Sequence, residues 1–302
     1  MTEKPRIPGE VYLFTTAIIW GAAFVFQKVA MDILEPFTFT AVRYILGGLL
    51  LIPVAWYFGK KNKSKVMPDN YSNKTLLIGG IICGTILCFA GNFQQFGLIT
   101  SSAGKTGFIT TLYIVIVPVF GLILFRKRVR KLVWLGVALA VVGLYFLSIK
   151  AGGFTMERGD FLIFIGAFFW AAHILAVDQL VLKVDAVRLS CAQFIWAGIL
   201  SSVFMFIMEE PRIMDIIACW APVLFTSVFV VGIAFTFQIL GQKTTDPTVT
   251  SIILSLESVF GVLAGMAFLQ ERMSGRELLG CVLMFIAVIL TQLPDKKQQR
   301  LS

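Results

Sequence analysis

The sequence predicts an all-α membrane protein with ten transmembrane helices, and three observations predict it. Of its 302 residues, 58% are hydrophobic and only 14% are charged, whereas soluble domains have roughly 45–50% apolar and about 25% charged residues. The apolar residues are gathered in runs close to the ~20 residues that a helix needs to cross a bilayer. Within those runs apolar and polar residues do not alternate as they do in barrel strands. Soluble enzymes, nucleic-acid binders and disordered chains are poor readings, because too little polar surface is available to cover a water-exposed globule.

In chain order, the first five runs lie near 11–30, 37–58, 75–98, 104–125 and 130–149, and the second five near 160–182, 188–208, 216–241, 247–270 and 275–293. The polar start MTEKPRIPGE precedes an apolar run too long for a signal-peptide core, without a convincing small-residue cleavage site, so that run is expected to stay as span one. Pro53, Pro118 and Pro222 fall inside spans and should bend them. Pro118, in span four, is the one expected to serve gating. Small residues at Ala17-x3-Gly21, Gly80-x3-Gly84, Gly136-x3-Ala140 and Gly261-x3-Gly265 permit close helix approach. The five cysteines form no CxxC and read as small buried hydrophobes.

The net charge of +9 comes from basic residues in short runs between apolar segments, which suits cytoplasmic anchoring better than nucleic-acid binding. With the N-terminus inside, 18 of the 26 Lys and Arg residues face inward and 7 outward, and Arg43 lies within a span. Both termini are therefore expected in the cytoplasm.

The chain also repeats itself. At an offset of 150, Trp20 falls on Trp170, Ala22 on Ala172 and Gly48 on Gly198. At an offset of 144, Gln94 falls on Gln238, Gly97 on Gly241, Thr100 on Thr244, Leu112 on Leu256 and Gly136 on Gly280. This divides the protein into a first repeat, 1–150, and a second, 151–302, which ends in a short basic tail. Five spans per repeat force the copies into opposite orientations, an architecture that transporters use to alternate access. Arg126-Lys127-Arg128 in one half corresponds to the less basic Gln270-Glu271-Arg272 in the other, as opposite orientations require.

Leu256-Glu257-Ser258-Val259-Phe260-Gly261, then Leu269-Gln270-Glu271-Arg272 and Leu279-Gly280, resemble the closing signature of EamA-type transporters of the drug/metabolite transporter superfamily. Trp20-Gly21 and Trp170-Ala171 match as well. Ser258 stands where that family often has proline, and Gln270 where it usually has glycine. The resemblance implies ten helices in two EamA repeats, a pathway lined mainly by spans 1, 3, 4, 6, 8 and 9, and transport of small metabolites, often by export.

Polar groups at mid-membrane depth are expensive and mark candidate sites. Asn92 and Gln94 in span three and Gln238 in span eight carry amides that both donate and accept, which suits a polar uncharged or zwitterionic ligand; the competing reading is hydrogen bonding between helices. Trp20, Phe24, Tyr113 and Trp170 could supply aromatic walls, and Tyr113 is the repeat mate of Glu257. His173 is the only histidine and the carboxylates are not clustered, so no metal site is expected and the choice lies between a satisfied core histidine and a pathway contact. Glu257 lies about 15 Å into span nine at 1.5 Å per residue. It could bond His173 and carry a proton, cap groups such as Ser255 and Ser258, or touch substrate. Lys105 opens span four, where it could attract anionic groups, close an outer gate through a carboxylate, or reach into headgroups. Arg43 reads as snorkelling or capping carbonyls, and Lys28 as interfacial.

These readings converge on a secondary transporter in the cell (inner) membrane. It would move an amino acid, a related polar or zwitterionic compound, or a drug-like molecule by alternating access, with export as the direction. The alternative is a channel or scaffold without carrier activity. No nucleotide-binding or catalytic motif and no cofactor is expected. The partners expected are the bilayer and a small-molecule substrate. Proton or other ion coupling, and a monomer or homodimer, are both left open.

Overall fold

The computed structural model describes residues 7–62, 72–126, 129–148, 157–269 and 274–293, and every regular element among them is helical. The first half contains α1 (Gly9–Met31), α2 (Pro36–Asn62), α3 (Asn73–Thr100), α4 (Ala103–Thr110), α5 (Tyr113–Phe125) and α6 (Lys131–Ser148). The second contains α7 (Arg158–Leu180), α8 (Ala186–Met208), α9 (Ile213–Ala218) and α10 (Trp220–Phe225). A π-helical segment (Thr226–Ala234) follows, then α11 (Phe235–Gln242), α12 (Pro247–Leu254), α13 (Glu257–Leu269) and α14 (Gly275–Gln292).

Eight helical stretches among the described residues are long and apolar enough to cross a membrane, counting α4–α5, α10–α11 and α12–α13 as one each. Two shorter apolar helices, Lys131–Phe146 and Leu278–Thr291, occupy the fifth place of each half. By length and composition, then, the expected ten spans are met by eight. The whole of α6 and of α14 is 18 residues, or about 27 Å, against a hydrocarbon core of about 30 Å. Lys4, Lys127, Arg128, Gln270 to Arg272 and Lys296, on which the orientation rests, lie outside the described residues.

The fourth and ninth apolar runs are each broken in the middle, at Thr111–Leu112 and at Ser255–Leu256. The cause is local. Thr111 Oγ1 donates to the carbonyls of Gly107 and Phe108, and Ser255 Oγ to that of Ile252, drawing acceptors away from the helical ladder. The backbone tightens there into i→i+3 bonds, Leu112 to Ile109 and Leu256 to Ile253. The second break thus forms with Ser258, not proline, nearby. Further along, α5 continues through Pro118.

Close backbone approaches relate the halves. A Cβ on Gly48 would collide with Ile195, and one on Gly198 with Ile45, the repeat mate of Ile195. A Cβ on Gly9 would meet the Gly241 carbonyl and Thr244, and one on Gly159 would meet the Gly97 carbonyl and Thr100. Each contact is thus made twice, once with the roles of the halves exchanged. Gly21 likewise brings α1 against the Glu257 carbonyl and Gly261 of α13. The five cysteines form no disulfide among the described residues, and four of them are buried.

Candidate functional site

Where these helices converge they leave a narrow cavity. α1 contributes Trp20, Phe24 and Gln27, which are spaced i, i+4 and i+7 and so share one face. α2 adds Arg43 and Tyr44, and α3 adds Gln94. The broken helices supply Thr110 and Tyr113 on one side and Glu257 on the other. Trp170 comes from α7. Val230 and Phe235 complete the lining, and the Phe235 N–H bonds the Val230 carbonyl across the wide π turn, which places the two on one face. Thr226 and Ser227 feed that turn by donating to the Pro222 and Val223 carbonyls. The free volume is about 30 Å³, where one water needs roughly 10–15 Å³. As it stands the cavity therefore has room for a few waters and for nothing larger.

The walls are aromatic and fixed. The Trp20 and Trp170 rings lie 6.2 Å apart, and Phe235 packs on both, at 4.7 and 5.9 Å. Trp170 Nε1 donates to Gln94 Oε1 at 2.8 Å, which sets both the indole and the amide. Trp20 Nε1 is buried and has no hydrogen-bond partner among the described residues.

Glu257 is the first residue of α13, where the helix dipole favours negative charge, and it is buried. Tyr113, the first residue of α5, donates its hydroxyl to Glu257 Oε1 at 2.9 Å. The two repeat mates thus bond each other. This corrects the Glu257–His173 pair: His173 Nε2 shares its hydrogen bond with Gln193 Oε1 at 3.1 Å. Equal depth along two helices says nothing about which way each side chain points. Nor does Glu257 hold the two serine hydroxyls, because those of Ser255 and Ser258 donate to the carbonyls of Ile252 and Ser255.

Trp20, Phe24, Gln94, Tyr113, Trp170 and Glu257 thus meet at the cavity, whereas Asn92, His173 and Gln238 are buried outside its lining. Asn92 donates to the Cys88 carbonyl and Ser201 Oγ. Gln238 donates to Gln242, which in turn donates to the Ile174 carbonyl. His173 stands edge-on behind Trp170 and Phe235.

Arg43 needs the largest revision. It neither snorkels nor caps a helix but is 3% exposed and lines the cavity. Its Nη1 donates to Gln27 Oε1 at 3.1 Å, and its guanidinium lies 4.9 Å from the ring centres of both Phe39 and Tyr44. Gln27 was recoverable from its two-turn spacing after Trp20, and Arg43 from the rule that an intramembrane charge is a site until shown otherwise. Phe235 and Val230 had no signal, because a π turn cannot be read from an apolar run.

Lys105 and Pro118 lie outside the lining. Lys105 Nζ pairs with Asp160 Oδ2 at 2.5 Å, and Ser101 Oγ donates to the other carboxylate oxygen at 2.7 Å. Asp160 is fully buried at the start of α7, where it also accepts the Glu157 N–H in a capping box. Lys28 Nζ donates to the Leu98 and Ile99 carbonyls at the end of α3.

Known proteins share this plan. The profile of the EamA-like transporter family matches residues 7–149 and 157–293. An uncharacterized transporter of Archaeoglobus fulgidus is 30% identical over 290 residues, covering 95% of this chain and 87% of that one. The uncharacterized inner membrane transporter YedA of Escherichia coli is 24% identical, covering 97% and 93%. A solved structure titled only as the crystal structure of a protein superposes with a TM-score of 0.76 at 19% identity, over 97% of this chain and 98% of that one, so the fold is shared.

Proposed function

Because the chain belongs to the EamA-like transporter family, and is by that and its apolar helices a multi-pass membrane transporter, we propose that it is a secondary carrier working by alternating access. The central cavity is its substrate site, and a small polar or zwitterionic organic metabolite is its cargo. Residues 1–150 and 151–302 act as two inverted repeats of five spans, in a cell membrane with both termini cytoplasmic, and export is the direction of net movement.

One observation carries this reading. Two pairs of repeat mates, Trp20 with Trp170 and Tyr113 with Glu257, each meet at the same cavity. Residues related by the repeat touch each other only near the axis that relates them. In inverted-repeat carriers the fixed site lies at that axis and the halves rock about it. The small volume agrees with a site that opens in turn to either side.

The test is counterflow in proteoliposomes. A carrier exchanges labelled for unlabelled substrate faster than net flux allows, whereas a channel shows no such stimulation. Tyr113→Phe and Glu257→Leu, each of which removes one side of that bond, should each lower exchange by roughly tenfold if the bond holds the site together, the cost of one buried hydrogen bond. Full exchange in both variants would remove that pair from the pathway.

A further inference from the structure

We propose that Arg43 anchors an anionic group of the cargo, a carboxylate or a phosphate, so that the cavity selects anionic or zwitterionic compounds over neutral and cationic ones. This rests on the cavity being the substrate site. The guanidinium is permanently charged, and burying a charge is costly unless it is paired. Among the described residues no carboxylate pairs with Arg43: it has one amide oxygen, two aromatic faces and the neutral Tyr44 hydroxyl beside it. Its Nε is buried with no hydrogen-bond partner.

The cavity lining is short of pure acceptors; the unpartnered amide oxygens among the described residues, those of Asn92, Gln95 and Gln238, all lie outside it. Gln27 Oε1 receives Arg43 Nη1 and Gln95 Nε2 and stands 3.5 Å from Gln94 Nε2, so one oxygen with two lone pairs serves three donors. The buried lining atoms without partners are Trp20 Nε1, Arg43 Nε and the hydroxyls of Tyr44 and Thr110, and none of these is a pure acceptor. Glu257, the one carboxylate in the lining, already accepts from Tyr113. An oxyanion entering beside Arg43 would supply both the missing charge and the missing acceptors, and the planar guanidinium fork matches its geometry.

The framework does not require arginine there. Its repeat mate is Gln193, fully buried at the equivalent place on α8. Arg43→Gln therefore puts at position 43 a side chain that the fold already accommodates in the other half.

The experiment uses the full chain in phosphatidylcholine vesicles and a panel of small carboxylates and phosphates, each beside its uncharged amide or ester. Thermal stabilisation reports binding. Binders should concentrate among the anions, and Arg43→Gln should weaken them by roughly tenfold or more, as loss of a charged hydrogen bond predicts. Arg43→Lys should keep part of that affinity, and it carries the test alone if Arg43→Gln does not fold. Binders that are neutral or cationic, anions that bind Arg43→Gln as well as the parent, or an anion panel with no binder would each overturn the proposal. So would competition by added phosphatidylglycerol with no soluble anion bound, because the anion would then be a lipid headgroup. Anion binding without counterflow would leave the Arg43 site standing and end the carrier reading instead.

Discussion

Arg43 and Gln193 occupy equivalent places on α2 and α8, and the two helices meet there through reciprocal contacts, Gly48 on Ile195 and Gly198 on Ile45. Their surroundings nevertheless differ. Arg43 opens onto the cavity with its charge unmatched, while Gln193 shares a neutral bond with His173 behind the rings of Trp170 and Phe235. The same contrast recurs at the helix ends. Where α7 meets α3, Asp160 holds Ser101 and Lys105; where α1 meets α11, Glu10, Thr245 and Val249 stand at the corresponding positions, with no cation in place of Lys105. The repeat has kept the backbone packing and let the charges diverge. Symmetric packing and asymmetric chemistry therefore coexist in one chain, because glycine contacts set the first and side chains the second.

The sharpest way to break this comparison is through the shared glycines. Gly9→Val and Gly159→Val should both be severely destabilised, because each Cβ would enter a carbonyl and a threonine hydroxyl of the facing helix. Overpacking of this kind costs about 1–3 kcal/mol, and more where backbone must shift. Gly104→Ala, with nothing within 4 Å of the added Cβ, is the control and should change stability by under about 0.5 kcal/mol. Thermal unfolding in detergent measures all three. Tolerance at one corner only would show that the two are not equivalent.

A smaller effect separates the corners by charge. Asp160→Asn keeps the shape but loses the ion pair with Lys105 and leaves a buried site short of acceptors. We expect a loss of about 1–3 kcal/mol, whereas Glu10→Gln, at the corresponding place, should fall within about 0.5 kcal/mol. Equal losses from the two substitutions would erase the distinction drawn here.

Most of the helical plan could be read from apolar runs, because length and composition dictate what a bilayer accepts. The breaks at Thr111–Leu112 and Ser255–Leu256 could not, since a hydroxyl that bonds its own helix looks like any other Thr or Ser in an apolar run. The site was partly legible. The 144-residue offset pairs Tyr113 with Glu257, and those two do bond. Depth alone misled for His173, because it fixes height on a helix and not azimuth. Distance from a helix end misled for Arg43 in the same way: Tyr44 and Phe39 shield a guanidinium that counting places near the interface.

His173 offers the finest test of the asymmetry. A lone histidine inside a membrane invites a proton-carrying role, because imidazole is the side chain that ordinarily titrates between about pH 5 and 8. Here the ring is fully buried, shares one hydrogen bond with neutral Gln193, and is screened from the cavity by Trp170 and Phe235. Among the described residues no carboxylate accepts from it, and Glu257 bonds Tyr113 instead. His173→Gln replaces the ring with a non-titrating amide that can still reach Gln193. Its stability should fall by about 0.5–1.5 kcal/mol, the worth of one neutral hydrogen bond, and its pH profile of counterflow should match that of the parent. A profile flattened between about pH 5 and 8 in the variant would place His173 in the transport cycle and make the second half as chemically active as the first.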